Sequence, residues 1–134
     1  MKRKPKSLPK LKAEALKLFG DVVKLRASRD EKMFCYTCGA SLTLNTKNCQ
    51  LGHYLSRGAY PGLTFHHNNS RLQDYRCNVM LHGNIIEFRE RLITEIGIVE
   101  VTRLECARHE SVKWSRSDFA EMMEGFKAEI KTLS

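Results

Sequence analysis

The run Cys35-Tyr36-Thr37-Cys38-Gly39 constrains this chain more than any other feature. A tight turn closed by glycine aims two thiolates at one point, which is half of a tetrahedral zinc site. A half-site needs a second pair, and two pairs qualify. Asp74-Tyr75-Arg76-Cys77 repeats the two-residue gap and gives a Cys35, Cys38, Asp74, Cys77 set, with a carboxylate where structural zinc more often takes a thiolate. Cys49 and His53 would instead complete a local finger, C-x2-C-x10-C-x3-H. The two sets imply different proteins, because a histidine bound to structural zinc cannot also serve as a base.

Cysteine use supports metal ligation over disulfides. The count of five is odd, and the basic start MKRKPKSLPKLK is followed by a Lys-rich amphipathic stretch where an export signal would be apolar. The expected compartment is therefore a reducing cytoplasm. No apolar run reaches the roughly 18 residues that a membrane-spanning helix needs.

Lysine plus arginine number 23 against 15 aspartates and glutamates, a net charge of +8. Residues 1–12 hold Lys2, Arg3, Lys4, Lys6, Lys10 and Lys12 and no acid. Such a patch gives sequence-independent, salt-sensitive affinity for a phosphate backbone, with Lys2, Arg3, Lys4 and Lys6 as the expected contacts. A solvated tail has the same composition, so charge alone does not choose between them.

Apolar periodicity predicts a basic amphipathic helix from Leu11 to about Arg29, started by Ser7 and Pro9. Residues 33–77 have the composition of short strands, turns and loops, with apolar runs at Met33–Tyr36, Ser41–Leu44 and Leu51–Leu55. A second helix is expected from about Val79 to Ile96, capped by Gly97. The segment Ile98–His109 reads as a strand by propensity and as a helix by length, and helix is preferred. The stripe Phe119, Met122, Met123, Phe126, Ile130, Leu133 predicts a last helix whose apolar face is core, with Ser115 and Asp118 capping it.

The block from Cys49 to Asn84 resembles the HNH endonucleases in order and spacing. His53 stands on a strand, Asn69 in a loop, and Asn78 directly after Cys77 at a helix start. More closely, GHYLSRGAYP, LTFHHNNSRLQ and the CNxxxxGN run (Cys77, Asn78, Gly83, Asn84) are similar to the NinG (Rap) family of lambdoid-phage recombination nucleases. The resemblance runs from about Phe34 to Gly97 and, more weakly, through Lys113-Trp114 and the final helix. It favours the Cys35, Cys38, Asp74, Cys77 set, and departs from the pattern twice: similar proteins carry cysteine where Asp74 stands, and many HNH nucleases have a metal-binding Asp where this chain has Gly52.

The resemblance implies an α+β fold: a small zinc-stapled ββα-metal (HNH) core at 33–97, flanked by an N-terminal basic arm and helix at 1–30 and C-terminal helices at 98–134, all one nuclease domain. It implies an endonuclease acting on branched DNA such as Holliday junctions or D-loops, in a host cytoplasm if phage-encoded. His53 would be the general base, Asn69 would orient its imidazole, and Asn78 would bind one Mg²⁺ or Mn²⁺ ion. His82 or Asn84, or water and substrate phosphate, would complete the ion's sphere in place of the missing carboxylate, and Arg57 would clamp phosphate. Cutting two strands of a junction together would need a homodimer. The competing expectation is a non-catalytic, zinc-finger-like nucleic-acid-binding protein, which explains the charge and the CxxC equally well.

Overall fold

The structure is a computed structural model that describes residues 4–28 and 33–134. Among the described residues four α-helices surround a two-stranded antiparallel sheet: α1 Leu8–Ala27, β1 Gln50–His53, β2 Ser70–Gln73, α2 Ile85–Ile96, α3 Ile98–Ala107 and α4 Arg116–Leu133. The class is α+β and mostly helical. No helix among the described residues is long and apolar enough to cross a membrane.

Helix α1 begins where Ser7 caps it, its hydroxyl accepting from the Lys10 amide at 3.3 Å, with proline in the first turn. Its apolar stripe buries Ala15, Phe19, Val22 and Val23, and Phe19 and Val22 are completely enclosed. That stripe packs on α4, whose Phe126 ring lies 5.4 Å from Phe19, and Met122, Ile130 and Leu133 close over the same cluster. A capping box, Ser115 with Asp118, starts α4. A second apolar cluster joins Phe88 and Leu92 of α2 to Val101 and Leu104 of α3 and to Tyr54 and Leu63 of the loop between the strands. Burying aromatic rings of this size is worth several kcal/mol each, so Phe19→Ala or Phe88→Ala should cost about 3–5 kcal/mol.

The sheet pairs Gln50 with Gln73 and His53 with Ser70. Gly52 faces the buried Gln73 side chain so closely that a Cβ on residue 52 would lie 2.0 Å from Gln73 Oε1. Only glycine fits there without displacing Gln73. The Gln73 carboxamide donates to the Gly83 carbonyl at 2.8 Å and to Thr37 Oγ1 at 3.0 Å, while its own oxygen has no hydrogen-bond partner among the described residues.

Two expected elements differ. The strands expected at 33–36 and 41–44 are reduced to one bridge, Phe34 with Ser41, because the intervening residues turn to form the cysteine knuckle. The single helix expected from Val79 to Ile96 is broken: Arg76–Met80 form a π-helical turn, and α2 starts only after Asn84. His82, Gly83 and Asn84 all have positive φ, 52°, 92° and 49°, a run of left-handed residues that no α-helix can contain. The segment 98–107 is helical, and Gly97, at φ 88°, makes the corner between α2 and α3.

Candidate functional site

The knuckle is built by two backbone hydrogen bonds, Gly39 N–H to Cys35 O at 2.9 Å and Cys35 N–H to Ala40 O at 2.7 Å, with Gly39 at φ 78°. It faces the start of the π-helical turn. The Sγ atoms of Cys35, Cys38 and Cys77 and a carboxylate oxygen of Asp74 all lie within 4.8 Å of one another. A tetrahedral zinc ion with Zn–S bonds of about 2.3 Å needs its sulfurs about 3.8 Å apart, so the donors are already close to the required spacing. The cluster could hold a structural metal such as zinc, tying the knuckle to the second strand and the turn after it.

Asp74 is oriented for one-oxygen ligation. Its Oδ1 accepts from the Cys77 amide at 2.8 Å, and its Oδ2 accepts from the Cys38 thiol at 3.0 Å. Burial works against the Asp74 charge, but the Cys38 thiol and the Cys77 amide outweigh it and hold the carboxyl below its ordinary range. Burial and the neighbouring Asp74 carboxylate push the Cys38 thiol up to about 12. Around the donors lie further polar groups: Thr37 Oγ1 is 3.5 Å from Cys35 Sγ, and Asn84 Nδ2 is 3.6 Å from Cys77 Sγ. Such outer partners orient metal ligands. Asn84, expected near a catalytic cation, is thus turned to the cysteine cluster.

Cys49 is absent from this cluster. It is buried among Phe19, Val22 and Leu72, and His53 makes its hydrogen bond elsewhere, so the C-x2-C-x10-C-x3-H finger does not form.

His53, at the end of β1, lines two adjoining hollows together with Leu51, Arg57 and Asn78. The smaller, 340 Å³, adds His82 and Gly83; the larger, 660 Å³, adds one face of α1. His53 Nε2 lies 2.9 Å from the Thr64 carbonyl oxygen. A carbonyl only accepts, so Nε2 carries the proton and the neutral ring keeps its lone pair on Nδ1. Burial lowers the His53 pKa below 6.5, the Thr64 carbonyl opposes this, and the Arg57 charge adds to the lowering.

The bond to the imidazole therefore comes from Thr64 and not, as expected, from Asn69. Asn69 is fully buried, and its carboxamide accepts from Leu55 N–H at 2.8 Å and donates to the Leu55 and Leu63 carbonyls at 2.9 and 3.3 Å. It clamps the long loop between the strands and holds Thr64 and His53 indirectly. Asn78 lies inside the π-helical turn rather than at the start of α2, one residue after Cys77. Its Nδ2 donates to Gln50 Oε1 at 2.8 Å, leaving Oδ1 as an acceptor. No sequence signal marks Gln50, Gln73 or the Thr64 carbonyl.

Of the expected phosphate contacts, Lys2 and Arg3 lie outside the described residues. Lys4 is exposed, and Lys6 is paired with Glu14 at 2.7 Å. A separate hollow of 320 Å³, between Arg26, Tyr36, Arg71 and Glu95, contains none of the expected residues, and its arginines are bound to Glu129, His67 and Glu95.

Fold and site together define a small α+β protein with a cysteine-rich knuckle that could hold a metal, set beside a histidine-lined cleft. A family profile described as "Bacteriophage Lambda NinG protein" matches residues 1–134. The chain belongs to the NinG family. It is 30% identical over 105 residues to Protein ninG of Salmonella phage P22 and, to the same extent, to Protein ninG of Escherichia phage lambda. Each match covers 78% of this chain and 50% of the relative, so the chain spans about half the length of the relatives it matches. No solved structure matches.

Proposed function

We propose that this chain is a metal-dependent DNA endonuclease that hydrolyses phosphodiesters in branched recombination intermediates, with His53 as general base. The fixed tautomer of His53 carries the reading. With Nε2–H given to Thr64, Nδ1 is an unprotonated acceptor in a cleft shared with Arg57 and Asn78, and burial keeps the ring neutral near pH 7. His53 Nδ1 would take a proton from the attacking water, and Arg57 would hold a phosphate oxygen. Asn78 Oδ1 and the His82 imidazole are the donors that would hold Mg²⁺ or Mn²⁺. When bound, that cation stabilises charge on the transition state and the leaving oxygen. One amide oxygen and one imidazole suit an ion that keeps several waters. Cutting both strands of a junction at once would call for a homodimer.

The test is His53→Ala, with zinc content, junction binding and Mg²⁺-dependent cleavage measured on one preparation. Cleavage should fall by about 10²–10⁴ while zinc and binding are kept. Full cleavage by the variant would put the base elsewhere, with His82 next.

A second reading, a non-catalytic zinc-bearing nucleic-acid-binding protein, is favoured by one observation. Position 52 offers no carboxylate, and the space for one is filled by Gln73. A native protein that binds a four-way junction but leaves it uncut with Mg²⁺ and with Mn²⁺ would establish that reading instead.

A further inference from the structure

The cations of the N-terminal region are not equivalent. Lys6 is paired with Glu14, and Lys12 lies over the Trp114 ring at 5.6 Å. Lys10, Lys17 and Lys24 have no carboxylate within 4.0 Å among the described residues. They are spaced by seven, which at 3.6 residues per turn is almost two full turns, so they stand in one line along α1 at intervals of about 10 Å. The helix cannot roll that line away, because its other side is buried in the core through Ala15, Phe19, Val22 and Val23. Helix α1 passes β1 at Gly20, where a Cβ would make an ordinary contact of 3.8 Å with Leu51 Cδ2.

Lys17 and Lys24 consequently line the 660 Å³ hollow that also contains His53, Arg57 and Asn78. Among the described residues Asp21 is the one acid in that lining, against the cations Lys17, Lys24 and Arg57, and it makes no ion pair within 4.0 Å with any of them. The hollow is thus net positive and continuous with the lysine line, which from Lys10 to Lys24 spans about 21 Å. A line of that length is longer than any small anion and suits a polyanion with many charges along it, such as a nucleic-acid backbone.

We infer that α1 is a phosphate track: Lys10, Lys17 and Lys24 hold the backbone of a DNA strand that leaves the His53 cleft and runs along the helix. The inference rests on the reading of the chain as a DNA-acting protein, and moves the main backbone contacts from the N-terminal tail to the ordered helix. Ammonium groups on flexible stems read charge and not sequence, so the track serves duplex arms and junctions alike.

The experiment is fluorescence anisotropy with zinc-loaded full-length protein, a synthetic four-way junction and a duplex of the same arm sequence, without added Mg²⁺, over a salt series. Lys10→Gln/Lys17→Gln/Lys24→Gln is compared with Lys113→Gln/Lys127→Gln/Lys131→Gln, which removes the same charge from exposed positions elsewhere. Each phosphate contact contributes about 0.9 to the slope of log K against log salt, so the track variant should lose about 2.7 of slope and bind about 500-fold more weakly at 0.1 M salt. Lys17→Gln alone should lose about 0.9. The control should keep the native slope. If native protein binds steeply and the track variants keep that slope, or the control loses as much, the track is overturned while DNA binding stands. If native protein binds neither DNA at low salt, the DNA reading falls and the track with it.

Discussion

The contact between Gly52 and Gln73 is the most exacting in the protein, and Gly52→Ala tests it. The new Cβ would sit 2.0 Å from Gln73 Oε1, 2.7 Å from its carboxamide carbon and 2.9 Å from its Cγ, so the whole side chain must move. It cannot move freely, because Nε2 is held by the Gly83 carbonyl and Thr37 Oγ1 in a site with no solvent access. Displacement breaks two buried hydrogen bonds and leaves the Gly83 carbonyl unpaired, each worth about 1–2 kcal/mol, on top of overpacking strain of about 1–3 kcal/mol. We expect Gly52→Ala to lose about 3–7 kcal/mol of stability. Gln73→Ala alone should lose about 2–3 kcal/mol, since it empties a cavity and orphans the same carbonyl but removes the unpartnered Oε1. In the double variant the alanine methyl occupies vacated space, so it should be less destabilised than the sum by about 2 kcal/mol or more. Urea denaturation of the four zinc-loaded proteins, with the slope of each transition checked, gives the cycle. A Gly52→Ala within 0.5 kcal/mol of native, or an additive double variant, would refute the reasoning.

Three further outcomes follow from the site. Since burial lowers His53, His66 and His67 below 6.5, the unfolded chain binds more protons below about pH 6.5 than the folded one. Stability should accordingly be full above pH 6.5 and decline as pH falls toward the folded pKa values; on the proposed nuclease reading the acid limb of junction cleavage should also lie below 6.5, and a limb at pH 7 or above would show that His53 is not the base. Asn69→Ala removes three hydrogen bonds to the loop, so it should cost about 2–4 kcal/mol and slow cleavage through His53 misplacement while zinc is retained; unchanged melting and rate would contradict the clamp. Asp74→Cys should tighten zinc binding by replacing a hard oxygen with a thiolate, read in chelator competition, and weaker binding would mean that the Oδ1 bond to the Cys77 amide matters more than ligand softness.

Much of the architecture was legible in the sequence, because it depends on patterns that repeat along the chain. The apolar spacing of α1 and α4, the Ser7 and Ser115 caps and the corner at Gly97 are local, and they form where local chemistry predicts. The paired two-residue gaps at 35–38 and 74–77 marked the cluster that could hold a metal, since each gap turns two donors toward one point. Residue spacing alone left two completions of that cluster open, and the family resemblance favoured the one with Asp74 and Cys77. Tertiary structure decided between them by burying Cys49 in the apolar core and placing Asp74 against Cys38.

What the sequence did not determine lies where backbone groups do the positioning. Every residue has a carbonyl, so nothing in the sequence marks Thr64 as the partner of His53 or Leu55 and Leu63 as partners of Asn69. Apolar periodicity continued through Val79 to Ile96, yet left-handed backbone at His82 and Asn84, beside Gly83, broke the helix, with Cys77 in the cysteine cluster and Asn78 at the cleft. The lysine line on α1 was present in the sequence as a spacing of seven. It became a candidate track only because burial of the opposite face fixed the helix with Lys17 and Lys24 over the cleft, a matter of packing that no single segment encodes.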